Sequence, residues 1–250
     1  MEKELRHQVI LNEVHIHNRV LLSDLANILQ VSIDTVRRDL KELDELGKIK
    51  RVHGGAVSKG FNIYTESQRD VYAYENKTLI AQKGISLLKK GDVVLISGGT
   101  TNLEFAKLLP LKMSLTFFTP SLPMAIELLN SPSNSEVIFI GGKLSKGSQL
   151  ATGGSAIHIL SELKADICFL GTGYLDPISG ITEIDWEIAQ LKKAIVNASK
   201  KVVSLTISEK LNTINRYKIC DISRLDVLAT ELDPNSPSLD TFRKQGIELL

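Results

Sequence analysis

The chain has 250 residues, 43% of them apolar, and a formal net charge of +1 at pH 7. This length and composition suit one or two globular domains, and the near-neutral charge excludes a broadly basic coat for nucleic acid, so any polyanion contact must be local. The N-terminus is charged and no apolar run is long enough for a transmembrane helix, which excludes a signal peptide and a membrane span. We therefore expect a cytoplasmic protein.

Two cysteines, Cys168 and Cys220, lie far apart in the sequence and outside any CxxC spacing. That distribution predicts buried thiols in a reducing compartment rather than a disulfide or a metal site. His15 and His17 lack cysteine or carboxylate partners at ligand spacing, so we expect surface histidines near a helix end. No metal and no cofactor is predicted.

The first two predicted elements are helices with one apolar face each. Residues 3 to 17 form the first helix, with apolar side chains at helical intervals at Leu5, Val9, Ile10 and Val14. The second helix is predicted to begin at Ser23, and its inward residues are Leu25, Ala26, Ile28 and Leu29.

The third predicted helix separates apolar from charged residues. Ser32 can accept a backbone N–H group at its start, and Gly47 can adopt the left-handed conformation that ends it. Its apolar face consists of Val36, Leu40, Leu43 and Leu46, and its other face of Asp34, Arg37, Arg38, Lys41 and Glu45. Taken alone, this pattern is also typical of an ordinary amphipathic helix with a solvated face.

The residues after this helix predict a small hairpin that carries positive charge. From Lys48 to Val57, β-branched and basic residues alternate before a Gly-Gly turn, as expected for two short strands. Residues 35 to 59 contain 7 basic and 4 acidic residues, so the local charge is positive. Three helices followed by a basic hairpin indicate a winged helix-turn-helix, whose second motif helix enters the major groove of DNA.

This placement predicts a DNA-binding surface. The helix residues expected to face DNA are Ser32, Thr35, Arg37, Arg38 and Lys41. An arginine fork can hold guanine O6 and N7 together or clamp phosphate oxygens. The residues expected to anchor phosphates are Lys41, Lys48, Lys50 and Arg51. Asp39 is expected either to orient a neighbouring arginine or to pair internally.

The string VSxDTVRRDLxxLxxxGxIxRVHGGA, which begins at Val31, closely resembles the N-terminal domain of the DeoR (deoxyribose-operon repressor) family of bacterial transcription regulators. The resemblance implies a winged helix-turn-helix at residues 1–57. It also implies that operator DNA is contacted by Thr35, Arg37, Arg38 and the wing from Arg51 through His53 to Gly55.

Residues 58–76 show no sustained period and predict a linker before a second domain at residues 77–250. In that domain, helical stretches alternate with continuous apolar runs, which predicts a mainly parallel α/β sheet buried on both faces. The predicted helices are 79–88, 102–109, 124–129, 155–163 and 186–198. The predicted strands are 93–96, 115–118, 137–140, 167–170, 202–205 and 227–229.

Five predicted strands are followed by small, hydroxylic or lysine-bearing residues, which would line one crevice at the carboxyl edge of a parallel sheet. These strand ends begin at Ser97, Thr119, Gly141, Gly171 and Thr206. The run Gly98-Gly99-Thr100-Thr101 precedes a helix, where N–H groups, hydroxyls and the helix dipole favour a phosphate. A tight βα turn that uses glycine for backbone freedom is the alternative. Neither a GxGxxG nor a Walker loop is present.

Residues 75–250 resemble the DeoR-family effector domain in the ENKxxIAxxG start, the GTT loop, the GG after Ile140, and the stretch from Asp166 to Gly173. The resemblance implies a fold similar to ribose 5-phosphate isomerase and a phosphorylated sugar or polyol as the effector. It assigns the phosphate to Gly99, Thr100 and Thr101. It places around the sugar Gly142, Gly171, Gly173, Lys192 and Lys210.

Three positions depart from the family pattern. The family usually has an acidic residue in place of Ser97, asparagine in place of Pro120, and an Asp-x-Ser-Lys turn where this chain has the run from Ile207 to Lys210. Losing two side chains that can bind hydroxyls should change which polyol is held, because unmatched polar groups dominate such discrimination.

The sequence therefore predicts a DNA-binding regulator, expected to repress a sugar-catabolic operon as a homodimer or homotetramer and to release DNA when a phosphorylated sugar binds. One alternative is a sugar-phosphate isomerase with an accessory DNA-binding module. Its candidate carboxylates are Asp166, Asp176, Glu183 and Glu187. Another is a regulator whose second domain binds no effector and serves only for oligomerisation.

Overall fold

The computed structural model of the protein describes residues 1–58 and 71–250. It divides into two compact units, Met1–Tyr72 and Ala73–Leu250. Most of the predicted linker, residues 58–76, lies outside the described residues. The structure corrects its predicted end, because residues 74–76 already belong to a helix. The N–H groups in the first turn of a helix have no acceptor within the helix, so polar residues are common there. A first turn of this kind shows no apolar period, and the sequence pattern therefore does not reveal it.

The described part of the first unit contains the three predicted helices and the predicted hairpin. The helices are α1 (Lys3–His17), α2 (Leu22–Leu29) and α3 (Ile33–Glu45). The strands are β1 (Arg19–Leu21), β2 (Lys50–Val52) and β3 (Gly55–Val57). Helix α2 begins one residue before the predicted start at Ser23, because Leu21 rather than a hydroxylic residue is its N-cap.

Helix α3 is capped as its sequence predicts. The Ser32 Oγ accepts the N–H group of Thr35 at 3.2 Å. Gly47 has a φ of 67°, and the N–H group of Lys48 reaches back to the carbonyl of Leu43 at 2.8 Å. This left-handed ending stops the helix and turns the chain into the wing.

The three helices share one apolar core. Its members include Ile10, Val14, Leu25, Leu29, Val36, Leu40, Leu43 and Ile49. Three residues predicted on apolar faces are instead exposed, namely Leu5 at 50%, Ile28 at 49% and Leu46 at 65%. Leu5 lies in the first turn of α1, before the residues that reach the core. Ile28 lies on a different side of α2 from Leu25 and Leu29. Leu46 is the C-cap residue, where the chain leaves α3.

Strand β3 is the middle strand of a small antiparallel sheet, because it pairs with both β1 and β2. The sequence did not predict β1, since three residues are too few to show a period. Gly55 is required for this arrangement, because a Cβ atom there would lie 1.9 Å from the carbonyl oxygen of Val20.

The described part of the second unit is an α/β fold. Its helices are α4 (Tyr74–Ile85), α5 (Thr100–Lys107), α6 (Leu122–Asn130), α7 (Gly154–Ser161), α8 (Trp186–Asn197) and α9 (Asp240–Arg243). Its strands are β4 (Val93–Ile96), β5 (Thr116–Thr119), β6 (Glu136–Phe139), β7 (Lys143–Leu144), β8 (Ala151–Thr152), β9 (Ala165–Leu170), β10 (Tyr174–Asp176), β11 (Gly180–Glu183), β12 (Ser199–Leu205), β13 (Tyr217–Cys220), β14 (Val227–Ala229) and β15 (Glu248–Leu249). One-turn 3-10 helices lie at Ser208–Lys210, Ile222–Arg224 and Pro237–Leu239.

Seven of these strands form a parallel sheet in the order β15-β14-β12-β9-β4-β5-β6. All six predicted strands lie in it, and the predicted α/β class is confirmed. The chain runs outward from β4 to β6, then returns to β9 and continues outward on the other side. The topological switch point therefore lies between β4 and β9, where open α/β sheets bind their ligands.

Two smaller antiparallel sheets were not predicted. One is the β7–β8 pair and the other has the order β10-β11-β13. Their strands are two to four residues long, which is too short for a period to show. Throughout the described residues, no helix has the length and apolar character needed to cross a bilayer.

Candidate nucleic-acid interface and anion cleft

The predicted DNA-facing residues of the first unit lie almost entirely on the surface. The exposed residues are Ser32, Arg37, Arg38, Lys41, Lys48, Lys50, Arg51 and His53. Thr35 is half-buried, and its hydroxyl shares a hydrogen bond with Ser32 Oγ at 2.9 Å. The N–H group of Arg51 donates to Asp44 Oδ1 at 3.3 Å, which ties the wing to α3. We call the six arginines and lysines of this set the basic surface.

In the part of the chain that the structure describes, the side-chain ion pairs of the basic surface are exposed to solvent. Arg37 pairs with Asp34 one turn earlier, and Lys41 lies 3.7 Å from a carboxylate oxygen of Glu45. Arg38 makes no ion pair with any residue in the ranges 1–58 and 71–250. Exposed pairs of this kind contribute little to stability, so a DNA phosphate can replace them at small cost.

Asp39 lies on the opposite, buried side of α3 and pairs internally. The Arg6 guanidinium of α1 donates to both carboxylate oxygens, at 2.8 and 3.0 Å, and His7 Nε2 lies 3.3 Å from Oδ1. Burial would raise the pKa of Asp39, but the hydrogen bonds and charge of Arg6, together with His7, lower it overall. Of the two predicted roles for Asp39, the structure therefore supports the internal pair, which fixes α3 against α1.

In the second unit, the ends of β4 and β9 approach closely at the switch point. Ser97 Oγ accepts the N–H group of Gly171 at 3.1 Å. A Cβ atom on Gly171 would lie 1.9 Å from the carbonyl oxygen of Gly98, and one on Gly99, whose φ is 140°, would lie 3.7 Å from the Gly171 Cα. The close approach therefore requires glycine at position 171, and the positive φ favours glycine at position 99. We call the space bordered by these strand ends the anion cleft.

The first turn of α5 borders the anion cleft. Thr100 and Thr101 are 5% and 6% exposed, and the first N–H groups of a helix have no acceptor within it. Asn102 Nδ2 donates to the carbonyls of Ser97 and Phe169, each at 3.1 Å, which joins β4 to β9. Its buried Oδ1 has no partner among the described residues. This geometry suits an anion at the start of α5.

Two predicted effector residues have structural partners elsewhere. Thr119 Oγ1 accepts the N–H group of Ser121 at 3.1 Å, so its hydroxyl is already engaged. A Cβ atom on Gly142 would lie 2.8 Å from the carbonyl oxygen of Thr152, which places this glycine beside β8. Ser121, which the prediction of effector residues omitted, lies closer to the cleft, since its Oγ would be 3.1 Å from a Cβ on Gly98.

Both predicted lysines are buried near the cleft. Lys210 Nζ donates to the carbonyl of Thr172, between the two glycines of the β9 strand end, at 3.1 Å. Lys192 Nζ donates to Glu183 Oε2 at 2.5 Å, and the same oxygen would lie 4.0 Å from a Cβ on Gly173. The structure thus brings Gly173, Lys192 and Lys210 toward one end of the sheet.

Lys77 of α4 is a third buried lysine, which sequence reasoning missed. It is 2% exposed, and burial lowers its pKa to about 8 although Glu104 and Glu209 oppose that effect. It also lies close enough to Lys210 to influence the pKa of that lysine. A lysine in a helical pattern normally predicts a solvated position. The one sequence signal for Lys77 is its place in the string ENKxxIAxxG.

The carboxylates proposed for an isomerase do not form a catalytic pair. Asp166 lies at the start of β9, away from the strand ends, and accepts hydrogen bonds from Val93 N at 3.0 Å and Lys200 Nζ at 2.8 Å. Asp176 accepts two backbone N–H groups within the turn between β10 and β11. Glu187 is exposed and contacts Lys143, and Glu183 is committed to Lys192. A proton-abstracting base needs a carboxylate positioned at the reacting carbon.

The two histidines and two cysteines weighed as metal ligands lie in separate parts of the chain. His15 and His17 are half-buried in the last turn of α1, not on the surface as expected, because that turn packs into the core at Ile16. Cys168 is buried and Cys220 is half-buried, and both are free thiols. Within residues 1–58 and 71–250, no group of three or more His, Cys, Asp or Glu side chains is arranged to hold a metal ion.

Two family models match this chain. The DeoR-like helix-turn-helix domain matches residues 6–60, and the DeoR C-terminal sensor domain matches residues 72–232. Among curated proteins, the chain is 32% identical to the HTH-type transcriptional repressor GlcR of Bacillus subtilis, over 100% of this chain and 96% of that protein. It is 30% identical to the HTH-type transcriptional regulator GolR of Listeria innocua, over 97% of this chain and 96% of that protein.

Solved structures give a weaker likeness. Ribose 5-phosphate isomerase A from Neisseria gonorrhoeae is 15% identical and matches with a TM-score of 0.40, over 56% of this chain and 53% of the isomerase. A TM-score this low supports no conclusion about function.

Proposed function

The chain belongs to the DeoR family of helix-turn-helix transcriptional regulators, and on that premise we propose that it binds operator DNA through the basic surface and releases it when a phosphorylated sugar or polyol occupies the anion cleft. The observation that carries this proposal is the presence of two polar surfaces of different chemistry in one chain. One is an exposed cationic helix and wing, and the other is a cleft of glycines, hydroxyls and buried lysines.

On DNA, α3 acts as the recognition helix. Its N-terminal residues approach the base edges, where Arg37 or Arg38 can hold a guanine, while the lysines of the basic surface neutralise phosphates. Asp39 does not compete with DNA for Arg37 or Arg38, because its carboxylate is bound to Arg6 on the far side of α3. The wing adds Lys50 and Arg51 to the phosphate contacts.

In the cleft, the effector phosphate lies at the first turn of α5, held by backbone N–H groups and by the hydroxyls of Thr100 and Thr101. Lys77 and Lys210 supply positive charge. Lys192 forms an ion pair with Glu183 beside Gly173.

The protein acts in the cytoplasm as a repressor of a sugar-catabolic operon, in keeping with a relative that is named as a repressor. Operators read by helix-turn-helix proteins are usually repeated or palindromic, which favours a homodimer or homotetramer. Ligand binding must favour one arrangement of the DNA-binding units over another, with a coupling free energy of about 1 to 3 kcal/mol.

Changing Thr100 and Thr101 together to valine tests the phosphate site. Each hydroxyl that bonds a charged group contributes about 1.5 to 3 kcal/mol, so the double variant should bind a phosphorylated sugar at least about 100-fold more weakly while its affinity for DNA is unchanged. The measurement is the rise in melting temperature over a panel of phosphorylated sugars, since a ligand at about 100 times its Kd adds about 2.7 kcal/mol.

Thr78→Val is the matched control, because the Thr78 hydroxyl donates to the Tyr74 carbonyl within its own helix α4, at 3.0 Å. It should respond to the same sugar as the wild type. If the double valine variant were stabilised as strongly as the wild type, the phosphate would bind elsewhere.

A further inference from the structure

Three lysines from different elements of the second unit are buried near one another. Lys77 of α4 is 2% exposed, and Lys192 of α8 and Lys210 of the turn after β12 are 7% exposed. Such burial of several like charges is costly unless each is neutralised. Lys192 and Lys210 differ in the group that balances the charge.

Lys192 and Lys210 have different partners. Lys192 donates to the Glu183 carboxylate at 2.5 Å, and Glu183 also accepts the N–H group of Ile184 at 2.8 Å. Lys210 Nζ instead donates to a neutral acceptor, the Thr172 carbonyl. The Thr172 hydroxyl is engaged with Ser204 at 2.7 Å. Among residues 1–58 and 71–250, no carboxylate therefore lies in hydrogen-bond contact with Lys210, which is held at the β9 strand end by the Thr172 carbonyl.

The charges that face Lys210 come from three other elements and from its own turn. They are Lys77 of α4, Lys192 of α8, Glu183 of β11 and Glu209. Burial, followed by the charges of Lys77 and Lys192, lowers the pKa of Lys210 to about 7, against the opposing effect of Glu183 and Glu209. Glu209 is exposed, where solvent weakens its effect. Near neutral pH the amine of Lys210 is thus partly unprotonated.

An anion in the cleft changes this balance. Thr172 lies next to Gly171, which meets Gly98 and Gly99 across the switch point, so Lys210 borders the strand ends that receive the anion. A negative charge there favours the ammonium form of Lys210 over the neutral amine. The proton comes from solvent and adds to the Nζ lone pair.

Resting on the proposed effector site, we propose that the anion cleft takes up its ligand together with a proton on Lys210, so that its affinity for an anion falls as the pH rises above neutrality. Below about pH 7, Lys210 already carries its proton and the affinity is insensitive to pH. Above it, affinity falls by up to about tenfold per pH unit, the limit for uptake of one proton. At alkaline pH the effector therefore binds more weakly and is less able to release the protein from DNA.

Sulfate is the probe for this inference, because it keeps its double charge between about pH 6 and 9 and any pH dependence must belong to the protein. Sulfate is titrated calorimetrically into the full-length protein from pH 6.5 to 8.5, in two buffers that differ in ionisation enthalpy. We expect a nearly constant affinity below about pH 7 and a loss of about 25-fold between pH 6.5 and 8.5. The heats should report uptake of nearly one proton per sulfate at pH 8.

Lys210→Met should abolish both the pH dependence and the proton uptake. Lys83→Met is the matched control, since Lys83 also donates to backbone carbonyls, those of Thr230 and Leu232, and it should retain both. Sulfate binding that is equally strong at pH 7 and 8.5, with no proton uptake by the wild type, would overturn the inference and leave the proposed function standing. Failure of both sulfate and every phosphorylated sugar to bind would overturn both.

Discussion

Replacing Arg6 with methionine is expected to destabilise the first unit by about 3 kcal/mol, because the buried Asp39 carboxylate then keeps only the longer contact with His7, at 3.3 Å. The two side chains are only 14% and 4% exposed. Since the pKa of Asp39 is lowered in the folded state, this contribution is present above about pH 4, the unfolded value, and is lost only as pH falls through the folded value. Hydrogen exchange of the α3 amides should accelerate on the order of 100-fold.

A matched control exists on the same two helices. Lys3 pairs with Glu42 at 2.5 Å, but these side chains are 56% and 43% exposed, so Lys3→Met should change the free energy of unfolding by less than about 1 kcal/mol. Combining Arg6→Met with Asp39→Leu should recover much of the loss, because the uncompensated charge is then removed. Equal exchange rates in Arg6→Met and Lys3→Met would show that the buried pair does not hold α3.

Changing Arg37 and Arg38 together to alanine is expected to abolish specific binding to operator DNA and leave the fold intact. Each arginine that holds a base in a bidentate contact discriminates by about 1 to 3 kcal/mol, so the pair should cost about 2 to 6 kcal/mol. Both side chains are exposed, and alanine is the best helix former. Anisotropy of a labelled duplex, selected by the wild-type protein from a random pool, measures the loss.

Lys3→Ala removes a positive charge from the same unit outside the basic surface and should bind the selected duplex normally. The slope of log K against log salt should also become less steep in the double variant, by about 0.9 for each phosphate contact removed. Wild-type affinity in the double variant, with an unchanged circular dichroism spectrum, would place the DNA-binding residues elsewhere.

The sequence predicts the fold well where a pattern repeats over several residues. The apolar runs of β4, β5, β6, β9, β12 and β14 are bounded by turns, and all belong to the parallel sheet. The strands that escaped prediction, such as β1 and β7, are two or three residues long. Their pairing depends on which distant segment approaches them, and local sequence does not carry that information.

The site is predictable only in part for a similar reason. The Gly98 to Thr101 run precedes a helix and can be recognised from sequence alone, as can the exposed face of α3. The partner of Asp39 is 33 positions away at Arg6, and Lys77 lies in a helix that reads as solvated. Burial of a charged side chain depends on how distant elements pack together. Neither the Arg6–Asp39 pair nor the burial of Lys77 can therefore be inferred from the local sequence.

The most direct test of the two-surface mechanism is release of the selected operator duplex by a phosphorylated sugar, measured by anisotropy in the wild type and the Thr100→Val/Thr101→Val variant. We predict that a sugar phosphate which stabilises the wild type against heat will weaken its binding to DNA about 5- to 150-fold. The same sugar should leave DNA binding by the double variant unchanged. A sugar phosphate that occupies the cleft of the wild type without altering its affinity for DNA would contradict the mechanism and favour a second unit that serves only for oligomerisation.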